Sequence, residues 1–150
     1  MSVERIMTAS PACCVPEASL QHVARLMLER DCGAIPVVDG LQSMRPIGVV
    51  TDRDIVCRAV ARGSNPLDMQ ARECMTHPAV TLRRTASEAE CIALMEKHAV
   101  RRVMIVDAVG TCCGIVAQAD VAERTPREGP IAHLLREVSR SQHLPAGQTV

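Results

Sequence analysis

The spacing of apolar positions changes period several times along the chain, and each change marks an element. Leu20, Val23, Ala24, Met27 and Leu28 recur at i, i+3, i+4, i+7 and i+8. They follow Ser19, a residue suited to the N-cap, and predict a helix. Ala34 to Val38 is a β-rich run stopped by Asp39-Gly40, and Ile47 to Val50 is a second one after a polar loop containing Pro46. Both read as strands. From Asp52 to Arg62, Ile55, Val56, Ala59 and Val60 fall on one helical face, and Gly63 supplies a stop. The second half repeats this order, with a helix near Glu88 to His98, strands at Arg102 to Val106 and Gly114 to Ala117, and a helix beginning near Gln118.

The likeness extends to residues. Met7-Thr8 matches Met75-Thr76, Ala18-Ser19 matches Ala86-Ser87, Leu26-Met27 matches Leu94-Met95, and Val38-Asp39 matches Val106-Asp107, at an offset of 68. After a loop two residues longer in the first copy, Gly48 matches Gly114 and Asp54 matches Asp120. The chain is a tandem duplication. The expected fold class is α+β: residues 1–66 as the first repeat, 67–124 as the second, and 125–150 as a tail. In the tail Ile131, Leu134, Leu135 and Val138 predict an amphipathic helix. A repeat of about 55 residues buries too little surface to stand alone, so the two sheets are expected to pack into one core.

Composition narrows the function. The 17 basic and 17 acidic residues cancel, which gives no field to attract nucleic acid or an anionic membrane. No Phe, Tyr or Trp is present, so a flat ligand has to lie between aliphatic side chains. No apolar stretch approaches the length of a membrane span. The opening MSVERIMTAS has no signal-peptide core, and the expected location is the reducing cytoplasm, where the eight cysteines stay unbridged.

Cys13-Cys14, Cys112-Cys113 and Cys74-x-x-His77 raise an alternative, a redox-responsive or metal-binding regulatory protein, but no Cys-x-x-Cys is present. In the repeat alignment Cys13 falls against Val80 and Cys91 against Val23, as small core residues would. The five histidines form no constellation with a nucleophile, so no enzyme is expected.

The two strand-to-helix junctions, GVVTDRDI at 48–55 and GIVAQADV at 114–121, carry the chemistry. Together with the Met-Thr openings, GAIPVVDG and RRVMIVDA, they give residues 3 to 124 a resemblance to a tandem pair of CBS domains, the cystathionine β-synthase motif. The resemblance implies a stand-alone regulatory module without a required cofactor. It binds an adenine nucleotide, AMP first and ATP or NAD as alternatives, in clefts between the repeats. It also implies a homodimer and an effector protein that the sequence does not identify.

The residues of the first junction suit such a ligand. A helix start leaves N–H groups and a positive dipole end for a phosphate. Thr51 can cap that helix or donate to a phosphate oxygen, Arg53 adds a charged fork, and Asp54 can accept from two ribose hydroxyls. The competing structural reading is a capping box between Thr51 and Asp54. In the resembled family the purine lies along strand positions that correspond here to Ala34, Ile35 and Pro36 in the first copy and Arg102, Val103 and Met104 in the second. At the second junction Ala117 and Ala119 replace the hydroxyl and the arginine, leaving Asp120. Losing one hydrogen bond to a charged group costs about 1.5–3 kcal/mol, so two unequal sites are expected.

Overall fold

A computed structural model of the chain describes residues 1–124; the expected tail helix lies outside them. In the first repeat the Ser19 hydroxyl accepts from the His22 N–H at 3.1 Å and starts α1 (Leu20–Arg30), which ends at Asp31 in the left-handed region. Leu20, Val23 and Met27 are buried, whereas Ala24 and Leu28 are exposed. The apolar stripe is narrower than its periodicity implies because α1 covers one side of a short hairpin. That hairpin is β2 (Ala34–Val38) paired antiparallel with β3 (Pro46–Thr51). Every residue of β2 is buried, since both faces of the strand are covered.

The helix expected from Asp52 to Arg62 is shorter. α2 (Asp52–Arg58) gives way at Ala59 to a 3-10 turn, Val60–Arg62, closed by Gly63 at φ 76°. The break leaves Ala59 fully buried while Val56 and Val60, expected on the same face, stay 56% exposed. Between the repeats come a 3-10 turn, Pro66–Asp68, started by the Asn65 side chain, and α3 (Ala71–Cys74).

The second repeat holds β4 (Thr81–Arg83), α4 (Glu88–His98), β5 (Arg102–Val106), β6 (Cys112–Ala117) and α5 (Gln118–Arg124). Ser87 and Glu90 form a reciprocal capping box at the start of α4, and Ala99 ends it in the left-handed region as Asp31 ends α1.

The opening segments are exchanged. β1 (Thr8–Ala9) pairs with β6, not with its own repeat, which gives a sheet of order β1-β6-β5-β4. The matching Thr76 bonds to β3 of the first repeat: its N–H donates to the Val49 carbonyl at 2.9 Å, and the Val49 N–H donates back at 3.0 Å. Cys14 bridges Val37 in parallel on the far side of β2, as β4 does with β5. The sheet register therefore matches Cys14 with Leu82, one residue away from the alignment that set Cys13 against Val80.

The matched glycines are the points where these arms cross. A Cβ on Gly48 would come within 2.8 Å of the Thr76 carbonyl oxygen, and one on Gly114 would run into the Met7 side chain, 2.9 Å from its Cγ. The repeated Met-Thr and Gly motifs are thus two halves of one contact.

Packing follows the exchange. Ala71 and Cys74 lie in the first core with Leu20, Val23, Ile35 and Val37, while Val3 and Ile6 lie in the second with Val103, Ile105 and Val116. A small third cluster, Val38, Met104 and Cys112, sits between the repeats with Cys13, Met44, Val49 and Ala79 against it. The single core expected from sequence is instead two cores joined by this cluster and by the arms.

Candidate functional site

The junction between β3 and α2 is built by backbone demand first. The Thr51 hydroxyl accepts from the Asp54 N–H at 3.1 Å, and the Asp54 carboxylate accepts from the Thr51 N–H at 2.9 Å, a complete capping box. The Asp52 N–H donates to the Gly33 carbonyl and the Arg53 N–H to the Asp52 carboxylate. The free helix-start N–H groups expected for a phosphate are therefore satisfied within the chain, and α2 has only seven residues to build a dipole. The Thr51 hydroxyl acts in this cap as an acceptor, through its oxygen.

Asp54 is held from three sides. Besides the cap, its Oδ1 accepts from the Thr76 hydroxyl at 3.4 Å and lies 3.8 Å from Arg58 Nε, one helical turn along α2. Arg58 also donates to the carbonyls of Cys74 and Met75, at 3.1 and 2.9 Å. The carboxylate side chain keeps 13% of its surface exposed. One aspartate of the first repeat is thus tied to the opening segment of the second.

Thr76 also lines a cleft of about 430 Å³, with Pro78, Ala79, Val80, Thr81, Leu94, His98 and Val100. Its walls are mostly aliphatic and its polar groups are two hydroxyls and an imidazole, a composition suited to a small organic ligand with a flat apolar part. Among the described residues, this cleft meets the junction at Thr76.

The other expected site residues separate into two sets. Ala34 lies opposite Thr51 across the β2–β3 ladder, and Arg102 holds the equivalent place opposite Ala117. Arg102 reaches the first repeat: a Cβ on Gly33 would sit 3.4 Å from its guanidinium and 3.1 Å from the Asp52 carboxylate. Arg53 is exposed. Ile35 and Val103, by contrast, are fully buried in the two separate cores, Met104 is in the cluster between the repeats, and Pro36 is buried in β2. Alternation along each strand turns Ile35 and Val103 away from the faces of Ala34 and Arg102, whereas Pro36 and Met104 share those faces and are covered there.

At the second junction Asp120 accepts from the Ala117 N–H at 2.7 Å, one half of the box seen at Thr51 and Asp54. The other half needs a side-chain oxygen that Ala117 lacks. Sequence reasoning missed Arg58 and Thr76. Arg58 sits four residues after Asp54, on the same helix face, and Thr76 belongs to the repeated Met-Thr pair, so both carried a readable signal.

All eight cysteines are free thiols. Among the described residues no group of three or more His, Cys, Asp or Glu side chains could hold a metal ion. No helix among them is long and apolar enough to cross a membrane.

A model of the CBS domain matches residues 3–60 and again 71–126. Hypoxic response protein 1 of Mycobacterium tuberculosis is 34% identical over 121 residues, covering 81% of this chain and 82% of that protein. A crystal structure of Hypoxic Response Protein I, with two coordinated zinc ions, superposes with a TM-score of 0.71 at 34% identity, over 84% of this chain and 100% of that one. The uncharacterized protein MK0525 of Methanopyrus kandleri is 32% identical over 111 residues; the match covers 74% of this chain and 56% of that protein. The CBS domain pair of protein MJ0100, solved in complex with 5'-methylthioadenosine and S-adenosyl-L-methionine, shares the fold at 22% identity, with a TM-score of 0.72 over 82% of this chain and 94% of that one.

Proposed function

The chain belongs to the CBS-domain family, and on that premise we propose that it is a regulatory module that binds an adenine nucleotide without transforming it. The observation that carries this reading is Thr76, which lines the aliphatic cleft and donates to Asp54. The base would lie in the cleft among Ala79, Val80 and Val100. Asp54 would accept from the ribose hydroxyls in place of Thr76, and Thr51, Arg53 and Arg102 would meet the phosphate. AMP is the first candidate, with ATP or NAD as the longer alternatives. Support comes also from the CBS pair of MJ0100, which was solved in complex with 5'-methylthioadenosine and S-adenosyl-L-methionine.

Occupancy would act through the contact between repeats. A ligand that takes Oδ1 of Asp54 competes with Thr76, and so favours one placement of the arm over another. Assembly as a homodimer in the cytoplasm belongs to the same reading, with Val56 exposed on α2 and Val60 exposed just after it supplying apolar surface for a second copy.

Titration calorimetry with AMP, ADP, ATP, NAD and S-adenosylmethionine tests it. We expect at least one of them to bind below millimolar concentration, with binding lost in Asp54→Ala and not weakened in Thr76→Val; silence from all five would overturn the reading.

A further inference from the structure

Beside the cleft, the fold brings together two thiols that lie far apart in the chain. Cys13-Cys14 and Cys112-Cys113 are both on extended backbone that pairs with a neighbouring strand, so the two side chains of each dipeptide face opposite ways. Cys14 enters the first core and Cys113 packs against the second. That leaves Cys13 and Cys112 in the cluster between the repeats, with Val38 and Met104.

There the two side chains pack in one cluster, the Cys13 thiol donating to the Pro11 carbonyl at 3.4 Å and the Cys112 thiol to the Gly114 carbonyl at 3.7 Å. Cys13 is half-buried and Cys112 buried. The neighbouring Cys112 thiol holds the Cys13 thiol below its usual range, while the Cys13 thiol and burial push Cys112 up. A reachable thiol that ionises first, backed by a shielded one, is the arrangement of an attacking and a resolving cysteine. The remaining thiols are placed otherwise: Cys74 and Cys91 are buried in different cores, and Cys32 and Cys57 are exposed.

We propose that Cys13 and Cys112 are a peroxide-oxidisable dithiol that closes to a disulfide between the two repeats. The Cys13 thiolate attacks one oxygen of hydrogen peroxide, the O–O bond breaks, and the departing hydroxide takes a proton and leaves as water. Cys13 is then a sulfenic acid. The Cys112 sulfur attacks the Cys13 sulfur and displaces the remaining oxygen, which leaves as a second water carrying the Cys112 proton. Two thiols are oxidised and one peroxide is reduced to two waters. The bond would fasten the segment before Cys14 to β6. Ala79 packs on this cluster and also lines the cleft, so oxidation reaches the ligand site through one residue.

The test uses the full chain, reduced, freed of reductant and exposed to hydrogen peroxide, followed by blocking of remaining thiols and tryptic mapping. We expect peptides 6–25 and 103–124 to become linked within one chain, with the loss of two hydrogens. Fragmentation should place the bond at Cys13 and Cys112, and dithiothreitol should reverse it. The link should vanish in Cys13→Ser and persist in Cys14→Ala. A bond mapped to Cys14 or Cys113, a link only between chains, or oxidation confined to Cys32 and Cys57 would overturn the proposal. Fragment mapping of the unsubstituted protein decides the matter if Cys13→Ser does not fold. Nucleotide titration of the reduced protein is a separate readout, so this proposal and the ligand reading can fail independently.

Discussion

Asp54 of the first repeat and Thr76 of the second meet at 3.4 Å, Oδ1 to Oγ1, and through them the cap of one helix is fastened to the arm contributed by the other repeat. The same carboxylate serves two purposes at once: it closes a helix start and anchors an exchanged segment, whose Thr76 lines an aliphatic cleft. In the duplicated chain each half extends the other's sheet edge: β1 joins β6, and Thr76 joins β3.

Substitutions at these two positions should separate those purposes. Thr76→Val removes one hydroxyl and leaves the Thr51–Asp54 box intact, so it should cost about 1 kcal/mol in urea unfolding. Asp54→Ala removes the box as well and should cost about 1–3 kcal/mol. Circular dichroism should show helix loss only in the second variant. Equal destabilisation by both would mean that the cap carries no weight.

The two glycines at the arm crossings should differ in tolerance. At Gly48 an added methyl meets the Thr76 backbone carbonyl at 2.8 Å, and backbone held by two ladder bonds cannot turn aside. At Gly114 the obstacle is the Met7 side chain, which has rotamers to spare. Gly48→Ala should therefore cost about 1–3 kcal/mol and Gly114→Ala less, measured by thermal unfolding. The reverse order would show that the first arm is the more rigid of the two.

Much of this architecture could be read from residue patterns, and the reasons for the remainder are local. The periodicity of Glu88 to His98 and the β-rich run of Arg102 to Val106 gave those elements with their observed bounds, because α4 buries Cys91 and Met95 on one face and β5 is, after Arg102, a continuous apolar run buried at its centre. β1, α3 and β4 run to two, four and three residues, too short for any period to register. The arm exchange was also hidden: Met7-Thr8 and Met75-Thr76 looked like alignment markers, and nothing in their spacing says which sheet they join. At the site, Thr51 and Asp54 stood out by type. Ile35 and Val103 were assigned beside them by resemblance, and the pleat turns both into the cores.

Arg58 is expected to hold the connector in place. Its guanidinium donates to the carbonyls of Cys74 and Met75, the two residues just before the arm. Arg58→Lys keeps the charge beside Asp54 but loses the fork that spans both carbonyls. Amide exchange at Thr76 and Val49 should accelerate in Arg58→Lys, with little change in α4. Unchanged exchange at the arm would show that α3 positions it without help.

Alkaline pH should weaken the fold through the buried thiols. Burial pushes Cys14 up to about 11, against 9.0 for an ordinary thiol, and Cys74 and Cys91 are raised for the same reason. The unfolded chain ionises first, so stability is full below about pH 9 and declines as pH rises toward 11. Denaturant midpoints measured across that window should fall, and the fall should be shallower in Cys14→Ala. A flat profile would mean that the unfolded-state thiols are as shielded as the folded ones.

The second junction offers a gain-of-function test. Asp120 already accepts from the Ala117 N–H at 2.7 Å, matching the 2.9 Å bond at Thr51 and Asp54, so the backbone is in place for a complete box. Ala117→Thr would supply the missing oxygen to the Asp120 N–H. Because a Thr cap in place of Ala is worth about 0.5–2 kcal/mol, the variant should be more stable than the parent by that order in urea. If the hydroxyl also serves a ligand, the same change with Ala119→Arg should add a second binding event to the calorimetric titration. Stabilisation without added binding would show that the hydroxyl caps the helix and does nothing for the ligand. Added binding would show that these two side chains account for the difference in binding, the remaining differences, such as Asp52 against Gln118, being without effect on it.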